Sequence, residues 1–250
     1  MDEKIVIRDL KKSFGSKIVF TGVDLSVSSA EIRCIVGKSG SGKSVLLKNL
    51  IGLIAPDAGA ILVDGVDFVG CDEEMKRSIQ SKYGILFQGA ALFDSMNIYD
   101  NVAFGLRRKG VPEEDIAVIV PEMLERVGLR DIEYRQPSEI SGGMQKRVGL
   151  ARSIAVRPEI MLYDEPTTGV DPITAGAVTE LIVQMRDTFQ ITSLVVTHDV
   201  NSAFHIADRI SMLFNGTIIF TGSPEEMRNS DNPVVQQFVE GRAHGPISIA

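Results

Sequence analysis

Runs of apolar residues in this chain are short, and their spacing switches between strand and helix periods from one run to the next. Ile5-Val6-Ile7 and Val23 to Val27 read as strands, with Gly15 and Gly22 marking turns beside them. Ile32 to Val36 is a third apolar run ending at Gly37, and Val45 to Leu53 then follows the helical period. That succession is strand, glycine-rich loop, helix. Ile61-Leu62-Val63 and Asp67 to Val69 flank Asp64-Gly65, which predicts a hairpin turn. Ile85-Leu86-Phe87 reads as a buried strand. From Ala90 to Ala155 no strand is predicted, whereas Pro112 to Val127 and Gly142 to Ala155 read as helices, so this stretch is a helical insertion. Ile160 to Tyr163 is another apolar strand, closed by two acids. Helix Pro172 to Phe189, strand Leu194 to Thr197, helix Val200 to Asp208 and strand Ile210 to Phe214 follow.

Strands alternating with helices imply an α/β fold whose mostly parallel sheet is covered on both faces. Functional groups then belong at the carboxyl ends of the strands. The length of 250 residues, 44% of them hydrophobic, suits one sizeable domain or one domain with sub-lobes. A net charge of −7 argues against a nucleic-acid surface, and no nucleic-acid partner is expected. Cys34 and Cys71 have neither CxxC nor Cys/His spacing, which supports neither a disulfide framework nor a zinc site and fits a reducing compartment. The acidic start Met-Asp-Glu-Lys is not a secretory signal. Val45 to Ala55, the richest apolar stretch, is broken by Lys48 and Asn49 and falls far short of the ~20 residues a bilayer span needs. The expectation is a chain soluble on its own, with any membrane role supplied by a partner.

Gly37-Lys38-Ser39-Gly40-Ser41-Gly42-Lys43-Ser44 matches the P-loop pattern GxxxxGK[ST] in the strand-to-helix context that pattern requires. Its glycines let backbone N–H groups approach phosphate oxygens without an intervening side chain. The helix that follows adds a partial positive charge of about +0.5 at its N-terminus. Lys43 is placed to reach the β- and γ-phosphates of ATP, and the Ser44 hydroxyl can ligate Mg²⁺. Strand Ile160 to Tyr163 delivers Asp164 and Glu165 at its open end. Asp164 would hold Mg²⁺ through water, and Glu165 would act as general base on the attacking water. On its own an Asp-Glu pair after a strand is more often a helix cap or a solvated loop. Beside a P-loop it becomes the second half of a nucleotide site. A P-loop still leaves kinases, GTPases, helicases and motors open.

Ser141-Gly142-Gly143, preceded by Ile140 and followed by a helix carrying Lys146 and Arg147, resembles the signature motif of ABC ATPases. The order agrees as well: P-loop lysine at 43, signature at 141, acid pair at 164 and 165, histidine at 198. The resemblance covers nearly the whole chain. It implies a P-loop NTPase with a RecA-like core, an N-terminal antiparallel β subdomain and an α-helical signature subdomain. The nucleotide-binding domain would run over 1–231, with its helical subdomain at about 89–155, and 232–250 would be a C-terminal tail. In that family two copies pack head to tail, and Ser141, Gly142 and Gly143 would close over ATP held by the opposing P-loop. Gln88 would be the Q-loop glutamine, touching Mg²⁺ and the attacking water. His198 would be the switch histidine that contacts the γ-phosphate. Asp171 would make the D-loop contact across the dimer, although Gly169 and Val170 replace the more usual small residue and leucine. Phe14 would stack on adenine, the competing reading being a core phenylalanine. One departure stands out. Met144 occupies the usual glutamine position of the signature, with Gln145 one place later.

Within the family, the wording from Gly89 to Phe104, the Ser-Gly-Gly-Met signature, Asp171-Pro172-Ile173-Thr174 and the tail Gln237 to Pro246 resemble the ATPases of Mla/Mce-type phospholipid transporters. That implies a homodimer beneath two permease subunits at the cytoplasmic face of the bacterial inner membrane, with a Mce-domain protein beyond it. Leu92, Phe93, Tyr99 and Phe104 would line the groove for a permease helix or else pack inside the helical lobe. Val234, Val235, Phe238 and Val239 form an apolar face suited to docking the tail on the second subunit, against the reading of a frayed terminus. Two other classes share the motifs: the ATPase of a small-solute importer, for instance for polar amino acids, and a soluble ABC ATPase of translation or DNA repair. The latter usually fuses two cassettes or carries a long coiled-coil insertion, and this chain has neither.

Overall fold

The computed structural model describes residues 2–248, so the last two positions of the predicted tail, Ile249 and Ala250, lie outside the described residues. The chain divides into two compact units, residues 1–81 together with 192–250, and residues 82–191.

The first unit opens with two long strands, β1 (Glu3–Phe14) and β2 (Lys17–Ser28), joined at Gly15-Ser16. Ile5 and Ile7 of β1 are buried at alternate positions, the period expected of a sheet with one wet face, and Leu10 is buried after an irregularity at Asp9 shifts the phase. Strand β3 (Ile32–Val36) is buried at every position, as a central parallel strand should be. Helix α1 (Lys43–Leu50) starts two residues earlier than its apolar period suggests, directly after the left-handed Gly42. Strands β4 (Ala58–Val63) and β5 (Val66–Asp67) turn at Asp64-Gly65, where both residues adopt positive φ. Helix α2 (Glu73–Gln80), capped by Asp72, ends this part of the unit. Only Ile79 of α2 is buried, and its two apolar residues, Met75 and Ile79, give one helical spacing and no repeat of it. β2, β1, β4 and β5 form an antiparallel sheet in that order.

The second unit begins with β6 (Tyr83–Leu86). Three helices follow: α3 (Ile98–Arg108), α4 (Glu113–Arg126) and α5 (Gly142–Ala155), with a 3₁₀ turn at Pro137–Glu139 before α5. Strand β7 (Ile160–Asp164) pairs parallel with β6, and α6 (Pro172–Phe189) closes the unit. Helix α3 was not predicted. Its β-branched and aromatic residues and Gly105 lower helix propensity, and packing against α5 overrides that. Gly105 permits the approach to the end of α5, since a Cβ there would sit 2.6 Å from Val156 Cγ1.

The chain re-enters the first unit with β8 (Thr192–Thr197), α7 (Val200–Ile206), β9 (Arg209–Phe214), β10 (Thr217–Gly222), α8 (Pro224–Arg228) and α9 (Pro233–Glu240). β8, β3 and β9 run parallel side by side, and β10 adds antiparallel to β9. Strand β10 also went unpredicted, yet its turn, Asn215-Gly216 with φ of 46° and 80°, carries the residues a tight hairpin demands. Beyond α9 the buried Gln237 side chain accepts from Ile247 N–H at 2.6 Å and donates to the carbonyls of Arg242 and Ile247, so 242–247 fold back along this helix.

Candidate functional site

In the first unit β3 and β8 leave the sheet at the same end, because Val36 pairs with Thr197. The P-loop, residues 37–44, therefore starts one strand away from His198, roughly 4.8 Å across the sheet at the strand ends. Two glycines of the loop have steric reasons to be glycine. A Cβ on Gly37 would lie 2.5 Å from the carbonyl oxygen of Leu213 on β9. Gly42 adopts φ of 104°, and a Cβ there would meet Val19 at 2.7 Å and the Phe20 ring at 2.9 Å. Strand β2 thus backs the loop. Lys43 is buried, and its ammonium donates to the carbonyls of Gly37 at 2.7 Å and Lys38 at 3.3 Å, spanning the loop it belongs to. Lys38, Ser39 and Gly40 are exposed at the rim, and Ser41 and Ser44 are half-buried. His198 is exposed, immediately before Asp199, which caps α7.

Phe14 ends β1 with 47% of its surface exposed, which rules out the core reading. Lys12 Nζ lies 5.3 Å from the ring centroid and also donates to Asp57 at 2.7 Å. The Asp57 carboxylate accepts the backbone N–H and hydroxyl of Ser13 as well. These bonds, with Lys12 first, bring Asp57 down from 3.8 to about 2.

In the second unit the parallel pair β6 and β7 does for carboxylates what β3 and β8 do for the P-loop. Leu86 pairs with Tyr163, so Gln88 and the Asp164-Glu165 pair emerge from neighbouring strand ends. Gln88 is exposed, whereas Asp164 and Glu165 are buried. Glu165 adopts φ of 49°, left-handed for a non-glycine residue, and its carboxylate accepts from the Thr168 hydroxyl at 3.2 Å. The turn that follows is held from α5. Lys146 is buried and donates to the carbonyls of Pro166 at 2.8 Å and Thr168 at 2.5 Å. Burial pulls its amine below the usual lysine range, and the charge of Glu165 opposes that shift. Sequence reasoning placed Lys146 in the signature helix without giving it this task.

Ser141 is the N-cap of α5 and accepts from Met144 N–H at 3.3 Å. Ser141 and Gly142 are exposed, so the helix tip with its unpaired N–H groups opens to solvent. Gly143 is different. A Cβ there would sit 2.5 Å from Thr174 Cγ2 on α6. Gln145, one residue past the usual signature glutamine position, turns inward and donates to the carbonyls of Pro137 at 2.9 Å and Ile140 at 3.4 Å. It anchors the turn before the signature instead of standing in for the amide that Met144 replaces. Asp171 caps α6, accepting from Ile173 N–H and Thr174 N–H, both at 3.0 Å, and from the Thr174 hydroxyl at 2.6 Å. Those bonds hold its carboxyl below the usual range.

Geometry of this kind meets a family model described as ABC transporter, which matches residues 20–168. The chain belongs to the ABC transporter family. This ABC protein is accordingly an ATP-binding, ATP-hydrolysing subunit on the P-loop NTPase fold. It is 44% identical over its whole length to the probable ribonucleotide transport ATP-binding protein mkl of Mycobacterium leprae, covering 72% of that protein. It is 38% identical over 96% of its length to the intermembrane phospholipid transport system ATP-binding protein MlaF of Escherichia coli K12, covering 90% of it. Among solved structures, the ATP-binding cassette MJ0796, solved as a dimer in a post-hydrolysis state with ADP and Pi, superposes with a TM-score of 0.80 at 28% identity, covering 88% of this chain and 98% of that one. Among the described residues no helix is long and apolar enough to cross a membrane.

Proposed function

We propose that this ABC ATPase hydrolyses MgATP as a head-to-tail homodimer and drives phospholipid movement across or between bacterial envelope membranes. The observation carrying the catalytic part is the open N-terminus of α5. Ser141 and Gly142 present a helix tip whose N–H groups suit an anion from outside the chain. In this reading each tip closes over the γ-phosphate seated on the partner's P-loop.

Within one copy, the N–H groups of Lys38 to Ser44 cradle the phosphates and Lys43 neutralises them. Phe14, presented by the Lys12–Asp57–Ser13 cluster, covers the adenine ring. Glu165 takes the proton of the attacking water, and Gln88 and His198 orient that water and the γ-phosphate. The oxygen donors Ser44, Asp164 and Gln88 suit Mg²⁺, which typically takes one or two protein ligands, water and substrate phosphates. Held by these residues, Mg²⁺ would supply charge neutralisation to the nucleotide's phosphates. Glu165→Gln tests the base. Turnover should fall by about 10²–10⁴ while ATP binding persists and a closed dimer accumulates on a sizing column. Normal turnover would remove Glu165 from that role.

The partners in this reading are two permease subunits at the cytoplasmic face of the inner membrane and a Mce-domain protein beyond them. The 38% identity with MlaF, over nine-tenths of that protein, supports the lipid cargo. The likeness to mkl favours a second reading, a small-solute transporter whose cargo is a nucleotide. Gentle purification from native membranes, followed by mass spectrometry of copurifying proteins and lipids, separates the two. Stoichiometric phospholipid with a Mce-domain protein supports the first. A solute-binding protein without lipid supports the second.

A further inference from the structure

On the sheet of the first unit, Arg33 of β3 stands in register with Arg209 of β9. Their Cα atoms are neighbours across parallel strands, roughly 4.8 Å apart, and like charges so placed destabilise a sheet unless something offsets them. Half of that offset is present. Arg33 is only 3% exposed, and its Nε donates to Glu31 at 2.6 Å while Nη1 donates to the Ser211 hydroxyl at 3.0 Å. Its Nη2 donates to no described group. Arg209 is exposed, and among the described residues its side chain has no carboxylate or hydrogen-bond partner. Arg33 and Arg209 both line one cavity of about 370 Å³, walled by β1 and β2, with Asp24, Ser26 and Thr221 as its other polar residues. Ser211 and Thr221 share a hydrogen bond of 2.8 Å beside Arg33.

We propose that this cavity is a second ligand site, separate from the P-loop, for a hydroxylated phosphate monoester. A phosphoryl group has three oxygens to share between Nη2 of Arg33 and the fork of Arg209, and it is the dianion that two adjacent guanidiniums match. Thr221 and Ser26 add hydroxyl donors. Asp24 sets the rest of the specificity. Its carboxylate, which already accepts Asp9 N–H at 2.9 Å, repels a second phosphate and accepts from hydroxyls of the ligand skeleton. Polyphosphates are therefore disfavoured, and a polyol phosphate is favoured. The volume lies near the lower end of the range for small-molecule sites, which suits a ligand of glycerol-phosphate or sugar-phosphate size.

The site is tested by calorimetric titration of glycerol 3-phosphate into the full chain saturated with Mg²⁺ and a non-hydrolysable ATP analogue, so that the P-loop is filled. One additional site per chain is expected, weakened at least ~10-fold by Arg209→Glu and partly retained by Arg209→Lys, with pyrophosphate binding no better than inorganic phosphate. Arg209 is exposed, and unchanged ATP turnover of both variants without the probe confirms their folding. The same monoester occurs on phosphatidic acid. Arg209-dependent co-sedimentation with phosphatidylcholine vesicles containing phosphatidic acid, in place of binding to the soluble ester, would assign the site to a lipid headgroup. Arg209-dependent binding of glycerol 3-phosphate assigns it to a soluble ester. Binding of neither probe, binding undiminished by Arg209→Glu, or binding abolished once the P-loop is filled overturns the proposal.

Discussion

Lys146 reaches from the second turn of the signature helix to the carbonyl oxygen of Thr168, three residues past Glu165, and bonds it at 2.5 Å. With its second bond, to Pro166, the side chain pins a turn whose first residue is a left-handed glutamate. Strain of this kind persists only where neighbours over-determine it. Lys146→Met keeps the volume and removes the donors, leaving two carbonyls short of a partner at a cost of about 1–3 kcal/mol. The turn should relax and move the Glu165 carboxylate. A fall in kcat of about 10- to 100-fold with KM for ATP nearly unchanged is expected in steady-state assays. A change confined to thermal stability would make Lys146 a fold residue only.

Gly143 gives a sharper steric test. An alanine Cβ would stand 2.5 Å from Thr174 Cγ2, so Gly143→Ala forces α5 and α6 apart at a cost of about 1–3 kcal/mol. Thr174→Ser removes that methyl and keeps the hydroxyl bonded to Asp171. The double variant should recover most of the stability and ATPase activity lost in Gly143→Ala. Thermal melts and turnover of the two single variants and the double close the cycle. Additive losses would mean that the glycine is needed for backbone freedom or nucleotide approach rather than for room.

Much of the fold was legible because its signals are local. Strand β3 and helices α5 and α6 appear where the periodicity puts them, and the glycines between β3 and α1 mark the loop by themselves. Helix α2 was hidden because Met75 and Ile79 give a single i, i+4 spacing that is not repeated. Helix α3 was hidden because packing, not propensity, makes it helical. In the candidate site, side chains that would touch nucleotide can be named from the P-loop pattern and from the resemblance to the family. The groups that hold them cannot: Lys146, Gln145 and Asp57 act through backbone groups and side chains 5 to 45 positions away along the chain. Asp171 shows the same limit. The family resemblance that implies a contact across the dimer says nothing of its bonds to Thr174, which make it a helix cap as well.

Asp57, in the loop before β4, ties down the end of β1 that bears Phe14, and its titration has a definite sign. Its folded pKa of about 2 lies below the ordinary 3.8. The bonds to Lys12 and Ser13 therefore stabilise the fold fully above the ordinary value, and that contribution is lost as pH falls from 3.8 toward 2. Carboxyl NMR should find Asp57 titrating near the lower figure. At neutral pH, Asp57→Asn removes the charge that holds Lys12 over the Phe14 ring. ATP affinity should drop a few-fold, the modest loss expected for an exposed cation–π contact, with kcat unchanged. Unaltered affinity would detach Phe14 from adenine binding.

Head-to-tail pairing is best tested by mixing defects, because each composite site would draw on both copies. Ser141→Arg fills the helix tip with a long cation while leaving that chain's P-loop whole. Lys43→Ala disables the P-loop and leaves the tip intact. Each homodimer would then lack a working site. A heterodimer would pair the intact P-loop of the Ser141→Arg chain with the intact tip of the Lys43→Ala chain, giving one sound site beside one doubly damaged site. Activity near zero for each variant alone and a rise on mixing, to at most about half the native rate per dimer if the sites act independently, is the expected pattern. A mixture no more active than its components would mean that the two sites must fire together. Full activity of the Ser141→Arg chain by itself is the outcome that head-to-tail catalysis does not survive, because it would leave the exposed tip at Ser141 and Gly142 with no part in hydrolysis.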